Sequence, residues 1–339
     1  MKWNILPIDS FSDYQPAWDE LNKAAHDVAV LNSHFIKSLI EHFASEQVVL
    51  AVGYRQSRIE YMLLMHKVSW ARWATFMPSQ APICLMVHGK NTLNDEVMSS
   101  LCKALPGHVM QVDLLQIDTR QTHLPESGRC IVSDYIVTGT RPVPDNFDEY
   151  FKSLGKNLRQ NYNKVINRAE KAGQKLECKH VSALDDVIEG VKKYGEIEAK
   201  SWKADLGTAI EPDNDQGRFY TNMMARLAEK NQACVWYYTI DDNIVACDLC
   251  IIQHHELIIL KTTFDNDYAK SSPALQMKVD MLRYYSENPE FGIKNIEFFG
   301  KAMEWHKRLD SILRPIVHAT WYNNILYQKL VAVVKSIKK

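Results

Sequence analysis

Ala233-Cys-Val-Trp-Tyr-Tyr-Thr-Ile240, Ile244-Val-Ala-Cys-Asp-Leu-Cys-Ile-Ile-Gln253 and Glu256-Leu-Ile-Ile-Leu-Lys-Thr-Thr-Phe264 are three apolar, β-branched and aromatic runs, parted only by Asp241-Asp242-Asn243 and His254-His255. Runs of this length joined by short polar turns read as consecutive antiparallel strands. Upstream lie a strand over 175–181 and helices over 183–202 and 216–230. Downstream follow a helix over 272–287, a strand over 295–299, a short helix over 303–309, a strand over 315–321 and a closing helix over 323–335. A long helix, Phe147 to Ala172, stops at Gly173. Strand, two helices, three antiparallel strands, then helix, strand, helix and strand make a mixed α/β plan.

Thr138-Gly-Thr-Arg-Pro-Val-Pro-Asp145 interrupts the apolar pattern with two prolines and a glycine, so it marks a boundary. Two domains follow, 1–140 and 141–339, as the length of 339 residues suggests. The first shows a sparser version of the same order. Helices over 18–29 and 33–44 precede a strand pair around Arg55-Gln56-Ser57-Arg58 and apolar segments over 70–76 and 83–87. A helix over 94–105, capped near Asn91 or Thr92, and strands over 109–117 and 130–137 complete it.

Hydrophobic residues are 46% and charged residues 24%, and the formal net charge is −1. No whole-molecule field invites DNA. No run approaches the roughly 20 apolar residues that span a bilayer, and the N-terminus lacks a secretory pattern. Seven scattered cysteines indicate reduced thiols and a cytoplasmic chain. Cys247 and Cys250 fall on opposite faces of one strand, so they neither bridge nor share a metal. Metal-ligand spacing is absent, as are the Gly-x-Ser-x-Gly, phosphate-loop and His-Glu-x-x-His signatures.

Four passages carry a family resemblance. They are Leu154 to Gly173, a basic helix ending in Gly; Glu198-Ala-Lys-Ser-Trp-Lys203; Phe264-Asp-Asn-Asp-Tyr-Ala-Lys-Ser-Ser-Pro-Ala-Leu275; and Glu297-Phe-Phe-Gly-Lys-Ala-Met-Glu-Trp-His-Lys307. In this order they resemble GNAT-like acyltransferases of the CelD- or BcsL-like kind, associated with cellulose and exopolysaccharide genes. The Fem aminoacyltransferases, with two GNAT-like halves, are more distantly similar. Weaker likeness around Trp18, Phe35 and Asp134 extends to the first half. Ala274 stands where the family usually has Gly, Glu297 where it often has Asp, and the Arg/Gln-x-x-Gly-x-Gly/Ala signature is missing. The resemblance implies an α/β fold of the α+β type, in two GNAT-like halves of mixed, largely antiparallel sheet with flanking helices.

The candidate site residues follow. Ser271-Ser272-Pro273-Ala274-Leu275 opens a helix, with a serine as cap and Pro273 at its first position. A helix N-terminus suits a pyrophosphate, and the resemblance places that of acyl-CoA here; a well-capped helix without ligand is the alternative. Asp248, mid-strand among apolar neighbours, is either a desolvated general base of raised pKa or a buried structural acid. Tyr268 is a candidate acid or hydrogen-bond donor, and either turn histidine, His254 or His255, is a weaker candidate. Glu304, His306 and Lys307 follow the strand where many GNAT enzymes protonate the leaving thiolate, and Lys307 matches the family pattern. Trp202 and Lys203 are expected to wall the acceptor pocket. Lys156, Arg159, Lys164, Arg168, Lys171 and Lys175 form a basic helix face, either merely solvated or a landing site for an anionic partner: a CoA ribose phosphate, an acyl carrier protein, a nucleotide-linked sugar or a lipid headgroup.

The expected activity is N-acyl transfer from acetyl-CoA or another acyl-CoA, a co-substrate and not a resident cofactor, bound across splayed strands ending near Gln253 and Phe264. The acceptor is an amine of an envelope or exopolysaccharide precursor, such as an amino sugar. Fem-like aminoacyl transfer from tRNA is the enzymatic alternative, and a non-catalytic scaffold in a polysaccharide synthesis complex the other.

Overall fold

The computed structural model describes residues 1–89, 93–201, 210–211 and 213–337. In chain order the elements begin β1 (Lys2–Pro7), α1 (Phe11–Leu21), α2 (Ser33–Phe43), β2 (Val48–Arg55), β3 (Arg58–Ser69), β4 (Arg72–Thr75), β5 (Met86–His88), α3 (Asp95–Ala104) and β6 (Gln111–Asp118). Next come β7 (Cys130–Pro142), α4 (Phe147–Ser153), α5 (Lys156–Ala172), β8 (Leu176–Val181), α6 (Leu184–Glu198), α7 (Asp215–Ala228), β9 (Ala233–Ile240), β10 (Asn243–Gln253) and β11 (Glu256–Phe264). The chain closes with α8 (Pro273–Glu287), β12 (Asn295–Glu297), α9 (Glu304–Arg308), β13 (Ile312–Tyr322) and α10 (Ile325–Ile337).

Two compact units result. Met1–Val137 with Arg314–Lys339 form the first and Thr138–Leu313 the second. The expected second domain ran on to residue 339. Its last segment belongs instead to unit 1, because β13 pairs antiparallel with β6 from Ile316 opposite Asp118 to Tyr322 opposite Gln111. Val317, Ala319 and Trp321 thereby enter a core shared with Trp73, Met98, Leu101 and Val112.

Each unit lays its strands in the same order. Unit 1 reads β1-β2-β3-β4-β6-β13 and unit 2 reads β8-β9-β10-β11-β12-β7. Four antiparallel strands are followed by one parallel neighbour, β6 beside β4 over three residue pairs and β12 beside β11 over three. The parallel pair is possible because a helix, α3 or α8, carries the chain back across the sheet. The two units are GNAT-like halves with mixed, largely antiparallel sheets, and the repeat is plain in topology although no residue pattern announces it. Tight turns agree with their residues: Gln56 and Ser57, and Asp241 and Asp242, all take positive φ, the backbone of two-residue hairpins.

The long helix expected over 147–172 is two helices. Leu154 is extended at ψ 155° and Gly155 follows at ψ 139°. Burial of the Leu154 side chain and the Gly155 backbone outweigh helix continuation, glycine costing about 0.5–1 kcal/mol in a helix. The Leu154 carbonyl freed by the break accepts from Arg159 Nε at 3.0 Å. Gly173, at φ 67°, ends α5 in the left-handed conformation. Lys175 therefore lies beyond the helix and pairs with Glu177 at 2.7 Å. Asn94, whose side chain accepts from Val97 N, caps α3; Asn91 and Thr92 lie outside the described residues.

Candidate active site

The parting of β11 from β12 has a local cause. The strands pair only over Glu256–Ile258 and Asn295–Glu297. The Glu297 side chain then turns onto its own backbone, Oε1 accepting from Phe298 N and Phe299 N at 3.0 Å each. Thr140 Oγ1 donates to its other oxygen. Phe298 N also donates to Gly139 O of β7 at 3.1 Å, Phe299 takes φ 46°, and β11 runs on to Phe264 with β10 beside it. The splay therefore opens at the Phe264 end. Gln253 pairs with Glu256 at the closed hairpin end, so the expectation that both strand ends border the opening is corrected.

Behind the splay, α8 begins at Pro273. Neither serine caps it. Ser272 sits at the cap position with φ 51° and ψ 53° and gives no side-chain bond, while Ser271 Oγ donates to Tyr268 O at 2.7 Å. The left-handed turn takes Ser272 out of the extended backbone a side-chain cap requires. No acidic residue occupies the first turn, so no carboxylate of that turn meets the positive end of the helix. A cleft of about 150 Å³ opens there, and Lys164, Arg168, Lys270 and Arg308 line it with Ser271, Ser272 and Leu275. None of its thirteen lining residues is Asp or Glu. The cognate helix of unit 1, α3, starts with Asp95 and Glu96, and Asp95 accepts from Ser127 Oγ at 2.7 Å and Trp321 Nε1 at 3.1 Å. Its positive end is met by the chain's own carboxylates.

Three members of the sequence-predicted donor set, Ser271, Ser272 and Leu275, thus meet two lysine and arginine residues of the basic helix in one cleft; Ala274, half-buried, packs against the core. A second cleft adjoins it at the start of α5. It is about 940 Å³, shares Leu158, Asn161 and Arg308, and adds Lys156 and Lys307. Lys307 is 65% exposed and 3.9 Å from Glu304, so it stands at this rim. Tyr268 packs half-buried against the core beside the α8 start. His255 Nδ1 lies 2.8 Å from Gly292 O at the closed end of the hairpin, away from the splay.

Asp248 is fully buried on β10, opposite Trp236 and Thr262. Lys278 of α8, 2% exposed, donates to Asp248 Oδ2 and, at 3.3 Å, to Thr262 Oγ1. Among the described residues, Asp248 Oδ1 has no hydrogen-bond partner. Of the two readings of Asp248, burial and the contact with the Lys278 ammonium fit the buried structural acid, an ion pair between α8 and the sheet. Lys278 was legible: Ala274, Met277, Met281 and Tyr285 share its helix face, and a lysine in that stripe needs a buried partner.

His306 was underweighted. It is 3% exposed, stacks on Trp305 at 3.6 Å and meets the edge of Phe298 just past β12. Burial pushes its pKa down to about 4, opposed by a backbone bond at Met303 and aided by the Lys278 charge. Its Nδ1 lies 2.8 Å from Met303 N and 3.3 Å from Met303 O.

The other face of β10 and β11 carries Glu198, fully buried at the end of α6. It accepts from Tyr194 OH at 3.0 Å, Ile210 N at 2.9 Å and Lys261 Nζ at 3.4 Å. Gly195 permits this approach, since a Cβ there would lie 2.3 Å from Ile210 O. Lys261 Nζ lies 5.4 Å from the Tyr220 ring centroid and 5.8 Å from that of Tyr194. Trp202 and Lys203, expected to wall the acceptor pocket, lie outside the described residues.

Residues 156–308 match the profile of the acetyltransferase (GNAT) domain family. No curated protein matches the chain in sequence. Among solved structures the chain is similar to FemX, at 12% identity and a TM-score of 0.56 over 93% of this chain and 97% of that one. It is also similar to a conserved protein of unknown function from Bacteroides thetaiotaomicron, at 12% and 0.54 over 91% and 97%. L-PGS from Bacillus licheniformis is similar at 11% and 0.51 over 94% and 96%. These likenesses concern the fold. Residues 156–308 are thus similar in sequence to the GNAT acetyltransferase domain family, and the chain is similar in fold to FemX.

Proposed function

We propose that the chain transfers an acyl group from acyl-CoA, acetyl-CoA first among candidates, to an amine of an envelope or exopolysaccharide precursor. The observation that carries the donor half is the acid-free cleft at α8, where an uncapped helix start meets Lys164, Arg168, Lys270 and Arg308. That combination suits a diphosphate. The resemblance to CelD- or BcsL-like proteins supports the acceptor class. The amine attacks the thioester carbonyl in the splay and gives up one proton to solvent as the C–S bond breaks, and the thiolate takes a proton for which Tyr268 and Lys307 are the candidate donors. Positioning of the two substrates supplies much of the rate in such a reaction.

Thermal denaturation with acetyl-CoA tests the donor site. A ligand at 100 times its Kd adds about 2.7 kcal/mol to stability. Ser272→Glu, which sets a negative charge beside the phosphates, should abolish that shift, whereas Ser272→Gly should keep it. A shift equal in wild type and Ser272→Glu would remove α8 from the site.

Aminoacyl transfer from tRNA, as in the Fem resemblance, is the second reading. The adjoining cleft supports it in part, because Lys156, Lys307 and Arg308 extend the cations beyond one diphosphate, although Glu304 and Asp310 line it too. Binding of tRNA that falls steeply with salt would support it.

A further inference from the structure

From Ser311 to Lys339 the sequence has Arg314, Lys329, Lys335, Lys338 and Lys339 and no Asp or Glu. This segment ends in α10, Ile325–Ile337, whose sequence is mostly apolar. The inward side of α10 is set by Gln328, whose Nε2 donates to Gly128 O at 3.0 Å, and by Tyr327 beside Tyr322. Leu326, Leu330 and Val333, spaced by four and three residues, share another face and are 75%, 61% and 54% exposed. Ile325, 46% exposed, borders them. A soluble surface rarely leaves such a stripe uncovered. No described helix is long and apolar enough to cross a membrane.

We propose that α10 lies in the surface of an anionic phospholipid bilayer, its leucine stripe in the acyl boundary and its lysines at the headgroups. The charge pattern selects this occupant. A second copy of the chain would set lysines against lysines with no carboxylate in the segment to neutralise them. An anionic headgroup layer neutralises all of them, and lysine stems reach past apolar contact to do so. Each lysine near such a surface strengthens binding roughly fivefold, and each leucine side chain buried in hydrocarbon about tenfold or more.

The full chain is mixed with extruded vesicles of pure phosphatidylcholine or of phosphatidylcholine with phosphatidylglycerol, and bound protein is measured by sedimentation. The expected result is binding to the phosphatidylglycerol vesicles at least about tenfold tighter than to phosphatidylcholine, weakened by salt. Leu326→Glu with Leu330→Glu should abolish it without lowering the melting temperature, since both side chains are already in solvent. No binding to the anionic vesicles, equal binding to both, or binding that survives the double substitution overturns the proposal. A dimer split by the double substitution, with no vesicle binding, would assign the face to a second copy.

Discussion

Lys278 and Asp248 each depend on the other for a charge held out of water. Removing one partner of such a pair costs about 3–5 kcal/mol, because the other is left buried and uncompensated. Asp248→Asn should therefore lower the melting temperature sharply, while the folded fraction keeps turnover within a few-fold of wild type. Unchanged stability with a loss of about 100-fold or more in turnover would return Asp248 to the role of base. His306 makes a pH-dependent contribution of opposite origin. Its ordinary value is 6.5 and its folded value about 4, so between them the unfolded chain takes up a proton that the folded chain refuses. The stability His306 gives is complete above pH 6.5 and is lost as pH falls towards 4. His66, His88, His180 and His318 are also pushed down by burial, so the comparison is with His306→Gln. That variant should lose less stability than wild type on acidification across this window; parallel melting curves would mean His306 is not held neutral.

Elements were more legible than the contacts between them. The three-strand meander is written in β-branched and aromatic runs with paired acids at the turn, and β9, β10 and β11 fall where those runs lie. The break in the basic helix was hidden, because periodicity passes through Leu154-Gly155 without a gap, and burial of Leu154 against unit 2's core decides it together with the Gly155 backbone. Ser271-Ser272-Pro273 signalled a helix start correctly and the cap wrongly: composition does not reveal that Ser272 turns left-handed. Likewise, nothing local foretells that the Glu297 carboxylate accepts from its own following amides, Phe298 N and Phe299 N, where β12 ends. The cleft at α8 lay half in view, its serines read as a phosphate site and its cations as a separate helix face. Their meeting is a fact of packing, not of sequence distance.

At the scale of the molecule, the two units are completed differently. Unit 2 uses its own first residues, Thr140–Pro142 of β7, to pair with β12. β13 follows unit 2 and completes unit 1, bringing Arg314 onto Asp118 at 2.9 Å and Trp321 into the core. A chain cut after Leu313 should leave residues 1–137 open to protease while Thr138–Leu313 stays resistant, as limited proteolysis with mass spectrometry would read. Equal resistance of both segments would show that unit 1 folds without its last strand. The same closure sets an order of assembly on the ribosome. At about 5–20 residues per second, β6 waits roughly 10–35 s as an open edge while residues 138–313 are translated. The half that is begun first is finished last, and through that interval a nascent edge strand is available to chaperones or to a wrong partner.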